Sequence, residues 1–459
     1  MDCRYQFVLA VWPMTSTRLL ADCCAELTAV ADLELIDAPV ELKRFSRDAY
    51  DFSPVLREQL EGCCADVVVR PHTVAAVAVV AGACTRHGIP LTLRGSGTGN
   101  YGQCVPLQGG VVMLMGALSK VRHLDPDTGV VTVESGCLLR DLDQHLSRHG
   151  RQLRLLPSSW RSASVGGFVA GGSGGIGSVR WGFLRDPGHL LALEVVTAED
   201  SPQQLQLDAA GSEALNHAYG SNGIITALSL ATAPAVPWQE VMIDCEDWSE
   251  AVALALRCTR AAVDLHLCSL HERPIVDQLP HWCGASNGQH RLLLLVAPDG
   301  VSTLKRLAAE AGAHCKVWGP EADRGGTGLR ELTWNHTTMH MRAVDPDWTY
   351  LQMLLPQPEL AAMQVLKQQW GDDLLWHLEA VRQQGVQRLA ALPIVRWRGR
   401  QSLEQLMNDC RQLGAVVFNP HVITVEDGGL GVVDADQVAA KRRYDPKGVL
   451  NPGKLRGCL

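Results

Sequence analysis

Apolar and polar positions alternate along the chain in two textures that meet near residue 235. From Asp66 the pattern reads strand, helix, strand: apolar 67–69, a break at Pro71, a helical stretch over 74–87 that Gly88 ends, then 91–93. After a glycine-rich gap come β-like runs at 111–114, 121–124 and 130–133. The last two flank Asp125-Pro126-Asp127-Thr128-Gly129, which predicts a tight turn. A helix over 138–149 stops at Gly150, and apolar strands at 190–198 and 224–230 close this half. Two prolines within 233–237 forbid a continuing helix or central strand and predict a boundary.

Beyond the boundary, helical spans at 248–260, 302–311 and 403–413 are interspersed with β-like spans at 263–267, 292–296 and 415–418. That is the pattern of helices layered on an antiparallel sheet, so the fold class expected is α+β. Residues 441–458 read as a short, basic, turn-rich tail.

Charge and composition remove several classes of function. The net charge is −8 with no long basic block, which argues against a nucleic-acid partner. The longest apolar runs, such as 292–297, fall far short of the ~20 residues a membrane span needs, and Asp2 and Arg4 interrupt the amino terminus. The expectation is a soluble cytoplasmic protein made without a signal peptide. Fifteen scattered cysteines, adjacent at 23–24 and 63–64, suit neither a zinc knuckle nor a disulfide framework and predict free thiols in a reducing compartment.

Glycine changes the picture most. Residues 94–110 hold six glycines and residues 162–188 hold nine. A literal GxGxxG lies at Gly172–Gly177, but Gly182, Pro187 and Gly188 leave no room for the helix a Rossmann site requires. In the other window Asn100 stands where the third Rossmann glycine belongs, and the Lys-Ser/Thr ending of a Walker loop is missing. Both windows instead offer runs of backbone N–H groups free of Cβ obstruction, a concavity for a diphosphate.

Five motifs in order then carry a resemblance: RPHTVAAVAVVAGACTRHGIPLTLRGSGTGN from Arg70, SVGGFVAGGSGGIGSVRWGFLRD from Ser164, LALEVVTAED from Leu191, GSNGIITALSL from Gly220 and YDPKGVLNPGK from Tyr444. The chain resembles FAD-linked oxidoreductases of the vanillyl-alcohol-oxidase type, closest in pattern to glycolate oxidase and D-lactate dehydrogenase flavoprotein subunits. The resemblance implies a two-part FAD domain at 55–235, an α+β cap at 236–430 with an antiparallel sheet, a carboxyl-terminal segment at 431–459 returning to the flavin, and an extension at 1–54. It also implies that Arg94, Gly95, Ser96, Gly97, Thr98, Gly99, Asn100 and Tyr101 wrap the pyrophosphate. Pro157, Ser158, Ser159, Ser164, Val165, Gly166, Gly167, Gly171, Gly172, Gly174 and Gly175 would lie along pyrophosphate and isoalloxazine, and Ile224 and Ile225 would hold the adenine side. Asn451 and Lys454 would return to the cofactor, and the basic cluster around them (Lys441, Arg442, Arg443, Lys447, Arg456) would face its anionic part.

Departures from the family narrow the expectation. Covalent members carry a His in or just after the first loop, and bicovalent ones add a Cys just before the Val-Gly of the second. Here those places hold Asn100 and Tyr101, and Ser162 to Ser164, so FAD is expected to be non-covalent. The HxGDGNxH and EHG segments that hold a metal in the nearest hydroxy-acid dehydrogenases are both missing.

Oxidising a CH–OH group requires a proton acceptor, for which His is suited near neutral pH. His336 and His340 share a face in either a helix or a strand. If the segment is a strand, as Thr337 and Thr338 favour, Arg342 joins them as a carboxylate fork. No metal is expected, the one alternative being His336, His340 and Glu426. His266, His271, His281 and His314 show no partner pattern and are read as structural. The function expected is FAD-dependent oxidation of the CH–OH group of a small 2-hydroxy acid by hydride transfer to flavin, the electron acceptor beyond it being unidentified. A sugar or alcohol oxidase, or a flavin-binding subunit or sensor without turnover, stands as the alternative.

Overall fold

The computed structural model describes residues 17–285, 287–321 and 328–458, so the first sixteen residues of the expected extension, with Asp2 and Arg4, lie outside the described residues. Strands β1 (Leu33–Ile36), β2 (Val67–Pro71), β3 (Leu91–Arg94) and β4 (Val111–Leu114) form one sheet in the order β1-β2-β4-β3. The last three are parallel and β1 is antiparallel to β2. The unbroken apolar runs at 67–69 and 111–114 suit strands covered on both faces. Helix Val74–His87 begins at the Thr73 side chain, which accepts from Ala76 N–H, and ends at Gly88 with φ 66°.

Strands β5 (Val121–Leu124), β6 (Val130–Glu134), β7 (Arg151–Leu153), β8 (Leu190–Val196), β9 (Gln204–Asp208) and β10 (Ile224–Pro234) build an antiparallel sheet in the order β5-β6-β10-β8-β9, with β7 also on β10. The boundary reading needs one correction, because β10 runs through Pro234. That residue sits opposite Arg151 at the last rung, where the missing N–H costs the ladder little.

The cap contains β11 (Gln239–Cys245), β12 (Leu265–His271), β13 (His290–Val296), β14 (His314–Pro320), β15 (Trp348–Tyr350), β16 (Gln352–Leu354), β17 (Leu374–Leu375), β18 (His377–Gln383), β19 (Val386–Ala391), β20 (Ile394–Arg396) and β21 (Val416–Phe418). Eight of these form one antiparallel sheet, β14-β11-β13-β12-β18-β19-β16-β21, while β15-β20-β17 make a small second one. Helices Trp248–Arg260, Val301–Glu310, Glu359–Trp370 and Arg400–Gln412 bury Val252, Leu304, Met363 and Leu406 against the large sheet. Leu267 and Leu295 join instead the core beneath β8 and β10, which fastens the cap to the first half.

The strand expected at 263–267 is shifted to Leu265–His271. Every residue of β12 is buried, so its His and Ser residues carry no alternation to read. The tail is also corrected: residues 435–444 are helical, and 449–451 pair with β3 through Leu91.

Candidate active site

A cavity of about 510 Å³ lies between the two sheets of the first half and the cap. Residues Gly95 to Tyr101 form one wall. A second wall comes from Pro157, Ser158, Ser159, Ser164, Gly166, Gly167, Gly171, Gly172 and Gly174, with Ile225 at one end. Glycine is needed here for two separate reasons. At Gly97 the backbone has φ 73°, and a Cβ would run into the Arg94 guanidinium; at Gly95 a Cβ would collide with the Ser164 hydroxyl of the opposite loop. The second loop opens as a short helix, Val165–Gly171, missed by sequence reading because glycines fill it; Ser164 caps it by accepting from Gly167 N–H at 3.2 Å.

Six expected cofactor residues lie outside the cavity wall. Arg94 is buried beneath the first loop, donating to Arg47 O at 2.6 Å and Cys104 Sγ at 3.2 Å. Lys454 donates to Gly102 O at 2.6 Å, and Asn451 to Gln103 O and Tyr219 O at 2.7 Å each. Val165 points into the hydrophobic core, Gly175 packs on the Leu156–Pro157 backbone, and Ile224 faces the other side of β10 from Ile225. Arg94, Asn451 and Lys454 thus fix the first loop from behind.

Two buried cations under that loop, with only Asp48 close by, still bias it toward an anion. Burial pushes Asp48 up to about 6 and Lys454 down to about 8. The rest of the basic cluster is turned away: Lys441 is paired with Asp445, Lys447 with Asp200 and Arg456 with Asp427, while Arg442 and Arg443 are exposed.

The third wall is the cap's, and sequence reading misplaced part of it. Residues Asn335–Val344 are a helix, not a strand. Thr337 Oγ1 is tied back to Leu332 O at 2.8 Å and both threonines are buried, so tertiary anchoring overrides β-branched preference. His336 lines the cavity together with Trp334, Asn335, Met339 and Gln352, and with Phe52 from the N-terminal segment. His340 turns away and its Nε2 contacts Glu331 O at 2.8 Å. Arg342 leaves the shared face because two residues advance a helix by about 200°; its guanidinium donates to Pro346 O at 2.9 Å and Trp348 O at 2.5 Å. Glu426 accepts from the N–H groups of Arg456 and Gly457, so the alternative metal set with His336 and His340 does not assemble. Among the described residues there is no cluster of three metal-ligating side chains.

The His336 ring is 18% exposed, and its Nδ1 lies 3.4 Å from Glu331 Oε2, whose other oxygen accepts from Arg161 at 2.8 Å. Desolvation lowers the His336 pKa, against the pull of Glu331, which keeps the ring neutral at pH 7. Nδ1 makes no hydrogen bond, and the Glu331 carboxylate 3.4 Å away favours a proton on that nitrogen, the tautomer in which Nε2 is an acceptor.

Several wall residues had no sequence signal, among them Ser135, Tyr219 and Gln352. They come from strand ends and bends distant in sequence. Asn100 Nδ2 donates to the Tyr350 hydroxyl at 2.6 Å, latching the first loop to the cap. His421 continues the latch, with Nδ1 2.7 Å from Ser53 Oγ and Nε2 2.9 Å from Tyr350 O.

Behind Trp334 lies a buried cluster whose histidines carry no sequence signal beyond a structural role. The His271 and His377 rings stack at 4.6 Å. Glu379 Oε1 accepts from Trp334 N–H at 2.7 Å and Ser269 Oγ at 2.9 Å, with His377 Nε2 at 2.8 Å. Trp334 itself has φ 54° and ψ −136°, a conformation that costs a non-glycine residue about 1–3 kcal/mol. The other structural readings stand differently: His266 stacks on Trp238 at 4.9 Å, His314 ends an edge strand, and the His281 side chain lies outside the described residues.

The cavity fits a dinucleotide-sized group. It has a glycine cradle, cations beneath one loop, and the buried polar atoms Ser135 Oγ, Trp334 Nε1 and Asn335 Oδ1 without partners in its wall. Residues 65–205 match the family model described as FAD binding domain. The chain carries an FAD-binding domain.

Relatives agree with this domain. A probable mitochondrial D-2-hydroxyglutarate dehydrogenase of Oryza sativa subsp. indica is 28% identical over 204 residues, 42% of this chain and 36% of that protein. Glycolate oxidase subunit GlcD of Escherichia coli (strain K12) is 27% identical over 236 residues, 50% and 45% of the two chains. D-lactate dehydrogenase of Archaeoglobus fulgidus is 23% identical over 417 residues, 85% and 91%. The chain thus spans little more than a third of the rice enzyme it matches. A solved alkyldihydroxyacetonephosphate synthase shares the fold, with a TM-score of 0.71 at 16% identity over 95% of this chain and 85% of that one. No helix among the described residues is long and apolar enough to cross a membrane.

Proposed function

We propose that this protein is an FAD-dependent oxidoreductase that oxidises the CH–OH group of a small 2-hydroxy acid, with His336 as the proton acceptor. The observation that carries this reading is a neutral, partly buried imidazole facing the two glycine loops across one cavity. The flavin, when bound, supplies the hydride acceptor. His336 Nε2 would take the hydroxyl proton, and the nearby Glu331 carboxylate would stabilise the charge the ring then carries. Asn335 and Gln352 are neutral donors suited to orient the substrate, and Met339 and Phe52 restrict water. The names of the relatives, dehydrogenases and an oxidase subunit of D-lactate, D-2-hydroxyglutarate and glycolate, support the substrate class.

One feature favours a second reading. No arginine or lysine lines the cavity among the described residues, which suits a neutral alcohol or sugar. Anaerobic mixing with D- and L-lactate, glycolate, D-2-hydroxyglutarate, sugars and primary alcohols separates the two. Bleaching of the flavin band by hydroxy acids alone is expected; bleaching only by neutral alcohols or sugars replaces the reading, and no bleaching by any of them removes turnover.

FAD is held without a covalent bond in this reading. Cys104, the one thiol lining the cavity among the described residues, is pushed up to about 12 by burial and stays protonated. Acid precipitation should release intact FAD to the supernatant, and flavin left in the pellet would overturn the assignment. The described cysteines are all free thiols, which fits a cytoplasmic location.

A further inference from the structure

The cluster behind Trp334 joins three elements of the cap. His271 and Ser269 belong to β12, and His377 and Glu379 face them from β18 in the register Ser269↔Glu379 and His271↔His377. Thr337, in the first turn of helix Asn335–Val344, contributes Oγ1 at 3.0 Å from His271 Nε2 and 3.4 Å from His377 Nε2. All five side chains are at most 1% exposed. A buried carboxylate with no cation partner is an expensive thing to place in a sheet, and apolar residues of similar volume would pack there without that cost.

The arrangement of its hydrogen bonds says what the carboxylate does. All the contacts are made by one oxygen, Oε1, whereas Oε2 has none. Burial pushes the Glu379 pKa up to about 8 and that of His377 down to about 3. A proton on Glu379 would sit on the unpartnered Oε2, so Oε1 accepts from Trp334 N–H in either protonation state. Trp334 is the residue whose backbone is forced into the positive-φ region, and it directly precedes Asn335 and His336, both in the cavity wall. The Trp334 side chain makes no capping hydrogen bond at this helix start, so the Glu379 bond and the Thr337 tether to Leu332 O are what hold it.

We propose that Glu379 is a positioning residue: its Oε1 holds Trp334 N–H in the positive-φ conformation that presents the Trp334 indole, Asn335 and His336 to the cavity. Outlying backbone at the edge of a cavity is where such pre-organisation is expected. The strain alone would let the corner relax to an ordinary helix entry and swing His336 away from the loops. The positioning role rests on geometry alone, and only its kinetic consequence rests on His336 as proton acceptor.

The test uses the full-length FAD-loaded protein and variants that keep or remove the acceptor. Glu379→Gln retains a carbonyl oxygen for Trp334 N–H; Glu379→Met fills the same volume without one. Hydrogen–deuterium exchange of peptides covering residues 333–340 reads the corner directly, and stopped-flow flavin reduction by D-lactate and by glycolate reads the consequence. Glu379→Met should keep stoichiometric FAD, raise exchange across 333–340 at least tenfold and slow reduction about a hundredfold. Glu379→Gln should stay within threefold of the parent in both.

Equal behaviour of the Gln and Met variants, or parental exchange in Glu379→Met, overturns the proposal. Ser269→Ala removes a neighbouring bond without touching Trp334, and an increase in exchange matching Glu379→Met would show general loosening and overturn it as well. If Glu379→Met does not fold, Glu379→Asp decides, because it withdraws the oxygen by one methylene. Exchange above the parent then supports the proposal and parental exchange sinks it. If neither hydroxy acid reduces the parent, the functional reading fails while the exchange result still judges Glu379.

Discussion

The wall formed by residues 95–101 and 157–174 is mostly backbone, whereas the wall formed by the cap is a set of side chains brought from strand ends and one helix start. The first depends on what its residues lack, a Cβ at Gly95, Gly97 and Gly166. The second depends on what its residues carry, an imidazole, an indole and two amides. A surface made of absences tolerates no added atoms, because each would intrude into packed backbone or opposing loop. A surface made of side chains can lose one and keep its shape, so damage there should be chemical rather than structural.

The sharpest way to break this contrast is to fill the glycine wall. Gly97→Val forces a β-branched residue to φ 73° and drives its Cβ into the Arg94 guanidinium, which is itself fixed to Arg47 O and Cys104 Sγ. The expected outcome is a folded protein retaining less than about a tenth of the parent's FAD, since nearby N–H groups could no longer approach a diphosphate. The ratio of visible to ultraviolet absorbance after gel filtration measures it. Full occupancy in folded Gly97→Val protein would show that this loop is not the cradle.

The same contrast explains what could be read from the chain. Glycine spacing is a local signal, so the two glycine windows were legible as loops for a diphosphate, and the family resemblance supplied the individual residues of 95–101 and 157–174; helix Val74–His87 was legible between Thr73 and Gly88. Arg94, Asn451 and Lys454 were legible as neighbours of the site but not in their role, because a motif does not show whether a side chain faces a ligand or the back of a loop. On the cap side the set His336, His340 and Arg342 marked the right segment, yet the helical period sends Arg342 elsewhere and Thr337 inward. Glu379 and His377 could not be found at all: their partners Ser269, His271 and Trp334 lie 45 to 110 positions away in the sequence.

Removing the imidazole probes the other wall. His336→Ala should leave FAD bound and slow flavin reduction by about 10²–10⁴-fold, the contribution of a positioned proton acceptor. His340→Ala, whose ring is spent on Glu331 O, should stay within about threefold. The pH dependence carries a definite sign. Desolvation depresses the His336 pKa below 6.5, so the neutral, accepting form persists above that value and the rate should fall only as pH drops through a midpoint below 6.5. That acid limb should vanish in His336→Ala. A parental rate in this variant would move the proton acceptor off the cap.

The smallest effect is expected at Arg342, and it sharpens where the cap wall ends. Its guanidinium donates to the carbonyls of Pro346 and Trp348 and lies 5.9 Å from the ring centre of Phe52, a cavity residue. Both carbonyls are met by the one nitrogen Nη1, so Arg342→Lys keeps the charge but brings an ammonium of different reach to them, and one of these bonds should weaken. The expected loss in urea unfolding is about 1 kcal/mol, the scale of a single hydrogen bond. Because the side chain is already committed to backbone oxygens, KM for lactate or glycolate should change by less than about twofold, and no more than for a neutral alcohol. A tenfold rise in KM confined to carboxylates would mean that the guanidinium leaves Pro346 and Trp348 to meet the substrate. The cap wall would then extend past Phe52 to the far face of the helix, and the cavity would hold the cation that its described lining lacks.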